Sequence, residues 1–171
     1  MKSKGGFFIK QCLEDEYLQN RLEAVIVLGE TSADASCQLL CSVLMDNQQH
    51  PEIRAGAAWA LGELQNSVAI NALVDSFSAV DEGIRIEAAR ALAKLASHFT
   101  GKIVAKFPQA TPDKRPAIAW ALSKSGRFKL EDLLNALVDE DARHWVSYVL
   151  GTQDQQKYID QVEKLKERDP E

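Results

Sequence analysis

Five arginines recur at nearly even intervals, Arg21, Arg54, Arg85, Arg115 and Arg143, separated by 33, 31, 30 and 28 residues. A guanidinium carries five N–H donors in a rigid fork, so a regular row of them suits one of two tasks. It can bind a row of anions such as phosphates, or it can satisfy carbonyls and carboxylates inside a fold. A second row stands five residues after the first: Ile26, Trp59, Arg90, Trp120 and Tyr148. Trp, Tyr and Arg are the side chains most enriched at the energetic centres of protein interfaces. The chemistry on offer is therefore recognition, by charge or by aromatic surface.

The elements that must position both rows follow from the repeat itself. Aligned on the arginine, the segments read "RLEAVIVLGE", "RAGAAWALGE", "RIEAARALAK", "RPAIAWALSK" and "RHWVSYVLGT". A period near 30 marks a repeat architecture and takes precedence over any other reading of the fold. A second helical pattern precedes the arginine, as in "ASCQLLCSVLMD", "AINALVDSFSAV" and "LEDLLNALVD", with apolar residues three and four apart. Turn residues separate the two, in "HPE", "DEG", "TPD" and "DED". Pro51 and Pro112 sit at or near first helical turns, where a missing N–H costs nothing. No useful stretch alternates with period two, so the chain is expected to be all-α. Each unit is a hairpin of helices A and B, and stacked hairpins make a solenoid.

On a helical wheel of about 100° per residue, Ala57, Ala58, Leu61 and Leu64 form one arc that includes Arg54. This places the arginine on the buried side, within reach of helix-end carbonyls or of turn carboxylates such as Glu52, Asp81, Asp113 and Asp141. A structural ladder of Arg21, Arg54, Arg85, Arg115 and Arg143 is favoured over a phosphate-binding row. Gly29, Gly62 and Gly151 are expected to let helices approach closely. Trp59 falls opposite the apolar arc, where packing within the chain does not require it.

The segments "HPEIRAGAAWALGEL" and "DEGIRIEAARALAKL" resemble HEAT repeats, in particular the short variety of phycobilisome lyase subunits and related bacterial proteins. The units are shorter than the roughly 40 to 47 residues usual for HEAT, which is a departure from the general pattern and a feature of that short variety. The spacing does not match tetratricopeptide repeats, and the "TPLHxA" motif of ankyrin repeats is absent. The resemblance implies a right-handed α-solenoid, or superhelix, of about five hairpins plus a C-terminal helix, in one domain spanning 1–171. The repeats would cover about 7–30, 32–65, 67–97, 98–125 and 129–151, with a terminal helix at 154–168. A further arginine would fall near 173, so the chain reads as a fragment of a longer array or one ending on a capping half-repeat.

In such a stack the B helices line the concave face, which would carry Ile26, Trp59, Arg90, Trp120 and Tyr148. Lys94 and Lys124 would lie on or beside this row. Arg90 would bridge the two indoles by stacking, and a protein partner would dock there. The competing reading has the aromatic rings filling seams between B helices. Trp145 lies off the row and suits a seam or end-cap position. The resemblance also raises handling of a bilin chromophore, as a lyase or chaperone subunit.

Charge gives a different expectation. Residues 1–89 carry net −7, residues 90–130 net +8 and residues 131–171 net −6, for −5 overall. The basic middle, with Lys102, Lys106, Lys114, Arg127 and Lys129 beside those already named, suits nucleic-acid phosphates or an acidic protein surface. The acidic whole, with pI near 5.3, weighs against nucleic acid.

Cys12, Cys37 and Cys41 cannot all pair within one chain, and they lack zinc-site spacing. Cys37 and Cys41, four apart, read as small buried hydrophobes. His50, His98 and His144 are not grouped. No metal and no cofactor is expected, and without a nucleophile elbow, phosphate loop or "HExxH" no catalysis either. No run approaches the roughly 18 apolar residues of a membrane span. The N-terminus lacks a signal-peptide pattern, so a cytoplasmic protein is expected.

Overall fold

The computed structural model describes residues 4–31, 34–126, 128–152 and 163–164, with side chains from residue 8 onward. Among these residues the secondary structure is helical and contains no strand. The expected terminal helix at 154–168 lies, apart from residues 163 and 164, outside the described residues. Arg127 and the side chain of Phe7 lie outside them too. The chain forms two compact units, Met1–Leu95 and Ala96–Glu171.

The first unit contains α1 (Lys4–Leu13), α2 (Leu18–Glu30), α3 (Asp34–Met45), α4 (Pro51–Leu64) and α5 (Ile70–Asp75), together with the first part of α6 (Glu82–Val104). Short 3₁₀ turns at Ser67–Ala69 and Ser76–Ser78 flank α5. Helix α4 shows how sequence sets these limits. His50 Nδ1 accepts a hydrogen bond from the Glu52 N–H at 3.2 Å, Pro51 opens the first turn, and Glu52 places negative charge at the positive end of the helix dipole. The helix ends where Gln65 takes a left-handed conformation, φ 47°.

Within this unit α2 packs along α4, and α3 packs against α4 and α5. Residues three and four after the arginine turn inward: Ala24 and Val25, Ala57 and Ala58, and Ala88 are buried, and Ala89 is half-buried. Neighbouring B helices touch through glycine. A Cβ on Gly29 would sit 2.9 Å from the Ala60 Cβ, and one on Gly62 would sit 2.9 Å from the Ala91 Cα. No larger side chain fits at either position. Around Gly151 nothing among the described residues lies within 4 Å.

The second unit contains the rest of α6, then α7 (Arg115–Ser125), α8 (Leu130–Ala136) and α9 (Glu140–Gly151). The sequence separates the third and fourth repeats at residue 97; α6 is kinked close by, at the one non-helical residue Phe99 (φ −127°, ψ 35°). Thr100 stabilises the break. Its buried hydroxyl donates to the Ala96 carbonyl at 2.8 Å and accepts from the Lys129 N–H at 3.0 Å, so both hydrogen-bonding capacities are used. Pro112 does not open a helix: it lies in the turn before α7, and Pro116 occupies the first turn. Gly126, at φ 60°, ends α7 in the left-handed region that glycine enters without strain. Helix α9 packs on α7 and α8, and Asp139 caps it by accepting from the N–H groups of Asp141 and Ala142.

Candidate functional site

Four of the five repeating arginines perform one task. Arg54 Nε donates to the Leu44 carbonyl at 2.9 Å, in the last turn of α3. Arg85 NH1 donates to the carbonyls of Ala79 and Val80, each at 2.7 Å, just past the end of the preceding 3₁₀ turn. Arg115 Nε reaches the Ala110 carbonyl at 3.1 Å, and Arg143 Nε reaches that of Leu137 at 2.8 Å, at the end of α8. A helix leaves its final carbonyls without internal partners. Arg54 and Arg143 therefore cap the A helix of their own hairpin from the start of the B helix, and Arg85 and Arg115 fasten the turn that follows it. Of the turn carboxylates raised as partners, Asp141 is used, by Arg115 NH1 at 3.0 Å. Asp81 instead accepts from the Ile84 N–H at the start of α6.

Arg21 behaves differently. Its NH1 donates to Gln49 Oε1 at 2.7 Å, and Gln49 Nε2 in turn donates to the Leu13 carbonyl at 3.3 Å. The cap of α1 is thus relayed through a residue of the next hairpin. Arg21 Nε is buried with no hydrogen-bond partner. The sequence offered no signal for Gln49, which stands in the turn "DNQQH" and meets its partners 28 and 36 residues away.

The second row stands outward. Ile26, Trp59, Trp120 and Tyr148 are between 37% and 50% exposed, and Trp59 and Trp120 stand between alanines that are fully buried. Ile26, Trp59 and Arg90 belong to the first unit, Trp120 and Tyr148 to the second. Arg90 does not offer its charge freely: NH1 pairs with Glu87 at 2.6 Å. Lys94 pairs with Glu63 across the α4–α6 seam. In the first unit both basic residues of the row are thereby neutralised, leaving a surface of mixed apolar and ion-paired character. Ile86, one turn before Arg90 and exposed, extends this surface and was missed because it sits beside the arginine rather than at the repeating position. In the second unit Lys124 is exposed. Trp145 is half-buried and meets the His144 ring edge-on, with centroids 5.0 Å apart.

Of the cysteines, Cys37 is buried and Cys41 half-buried on α3, as their four-residue spacing suggests. The Cys41 thiol hydrogen-bonds Cys37, and that bond together with burial pushes its pKa upward. Among the described residues no helix is long and apolar enough to cross a membrane.

Known proteins agree with this architecture. The family model for HEAT repeats matches residues 7–96. The phycocyanin lyase CpcE–CpcF complex of Nostoc sp. PCC7120 shares the fold with a TM-score of 0.54 at 21% identity, covering 92% of this chain and 68% of that one. An engineered protein aligns with a TM-score of 0.47 at 18% identity, over 88% of this chain and 79% of its own. No curated protein matches. With stacked helical hairpins, a ladder of capping arginines and a family match over more than half its length, the chain belongs to the HEAT-repeat family.

Proposed function

We propose that this chain is a non-enzymatic scaffold that binds a partner protein on the outward face of its B helices. One observation carries the reading: the position five after each repeating arginine holds Ile26, Trp59, Arg90, Trp120 or Tyr148, and all are exposed, the two indoles each between buried alanines. Indole and phenol rings left in water at a repeating position are poorly explained by packing and well suited to a recognition surface. Pairing of Arg90 with Glu87 and of Lys94 with Glu63 favours a partner that buries apolar surface over one that offers a row of phosphates. The lyase neighbour is itself a complex of two chains, which supports a protein as the partner.

Capture of partners on immobilised chain, compared between wild type, Trp59→Ala and Trp120→Ala, tests the reading. Helicity is expected to survive both substitutions while capture falls about tenfold or more, the range of an interface hot spot. Loss of fold in both variants would assign the rings to packing instead.

A second reading has one observation in its favour, the net +8 of residues 90–130. In the second unit Lys124 and Lys129 are exposed, suiting an acidic protein surface or nucleic acid. A salt-dependent mobility shift with mixed oligonucleotides separates the two, and no shift at low salt removes nucleic acid. Bilin handling rests on the fold alone. Mixing with a bilin without a change in its visible band removes that reading.

A further inference from the structure

An open groove of about 620 Å³ lies between α1 and α2. Its apolar lining includes Ile9, Cys12, Ala24 and Val27, and the carboxylates of Asp15 and Glu23 stand in the same wall. Among the described residues no lysine or arginine lines it. Phe8, largely exposed, stands at its edge.

The repeat explains what shape this groove receives. On α4, the helix face that takes the neighbouring B helix is marked by Gly56 and Ala60, two and six residues after Arg54. A Cβ on Gly56 would meet Leu22 and Val25 of α2 at 3.2 and 3.5 Å, and Ala60 meets Gly29. The same two positions on α2, counted from Arg21, are Glu23 and Val27, and both line the groove. The face with which one B helix accepts another is therefore, on α2, the wall of an open groove. The volume falls within the range of roughly 300–1,000 Å³ typical of ligand sites, and the apolar strip suits side chains spaced three and four apart on a helix.

Charge specifies the rest. Where α4 has Gly56, α2 has Glu23, and Asp15 adds a second carboxylate in a region, residues 1–89, of net −7. Asp15 Oδ1 accepts from the Tyr17 N–H and Glu23 Oε1 from Gln19, so each carboxylate is held in place by a neighbour. We propose that this groove docks a basic amphipathic helix from a partner protein, with apolar anchors against Ile9, Cys12 and Val27 and cations facing Asp15 and Glu23. Among the described residues the basic helices do not qualify as the occupant in a second copy, because α6 and α7 already bury their apolar faces, including Leu92, Ile118 and Leu122.

The test uses the full chain and a fluorescein-labelled lysine–leucine amphipathic peptide of about 18 residues, some five helical turns. Anisotropy is expected to show saturable binding that weakens about tenfold or more with Glu23→Lys, with Val27→Asp, or when glutamates replace the peptide lysines. Trp59→Ala, which disables the proposed B-helix surface, is expected to leave peptide binding unchanged. Saturating peptide should slow alkylation of Cys12, followed by mass spectrometry, in proportion to occupancy. Circular dichroism verifies the fold of each variant, and Glu23→Lys changes an exposed side chain. Unchanged binding in Glu23→Lys, or no protection of Cys12, overturns the proposal. So does a concentration-dependent dimer that protects Cys12 without peptide, which would give the groove to a second copy.

Discussion

In the second hairpin Arg54 reaches the Leu44 carbonyl directly, whereas in the first Arg21 reaches that of Leu13 only through Gln49, which belongs to the second. The two arginines occupy the same register on neighbouring helices. What differs is the partner that finishes the helix before them. The second hairpin contains its own cap; the first borrows one. In a repeat protein stability is a sum of unit terms and nearest-neighbour terms, and here one hydrogen-bonded cap has moved from the first kind to the second. A shared sequence position therefore fixes where a guanidinium sits without fixing which unit it stabilises.

Urea unfolding followed by circular dichroism can break or sharpen this contrast. The largest effect is expected from Gly29→Val. A side chain there collides with Ala60 in the α2–α4 seam and separates Arg21 from Gln49, costing about 3 kcal/mol, the upper part of the range for overpacked cores. Arg54→Ala comes next, at about 2 kcal/mol, because the charged hydrogen bond to Leu44 disappears from a partly buried site. Gln49→Ala should cost about 1–2 kcal/mol, since it strips partners from Arg21, the Leu13 carbonyl and the His50 N–H together. Arg21→Ala should cost about 1 kcal/mol or less, as it also removes a buried Nε that has no partner. A double-mutant cycle between Arg21 and Gln49 should return a coupling of about 0.5 kcal/mol or more. If Arg21→Ala proves as costly as Arg54→Ala, the two caps are equivalent and the distinction fails. Smallest of all is Asp141→Asn, expected to change stability by less than about 1 kcal/mol because the carboxylate facing Arg115 is mostly exposed.

The features legible in the sequence are those governed by local geometry. A helix repeats every 3.6 residues, so the inward turn of Ala57, Ala58 and Leu61 and the outward turn of Trp59 follow from spacing alone. The near-30 period places Arg54, Arg85, Arg115 and Arg143 at the starts of equivalent helices, where the carbonyls they cap lie five to ten residues away in the chain. Gly29 and Gly62 could be read as contact residues because nothing else favours glycine inside a helix. The illegible features depend on distant or non-periodic partners. Gln49 carries no pattern, and the pairing of Lys94 with Glu63 spans 31 residues. Arg90 was expected to stack on indoles; a carboxylate one turn away on its own helix holds it instead. The α1–α2 groove depends on how two helices from different parts of the pattern pack, which spacing within one helix does not encode.

The relay through Gln49 also has a meaning in time. Protein chains emerge from the ribosome N-terminus first, at about 5–20 residues each second. When residues 4–30 have emerged, the Leu13 carbonyl and the Arg21 guanidinium are both outside, but the amide that joins them has yet to emerge. The leading hairpin is thus unfinished at birth and is completed by its successor, so nascent-chain protection of α1 should rise in step with the exit of residue 49.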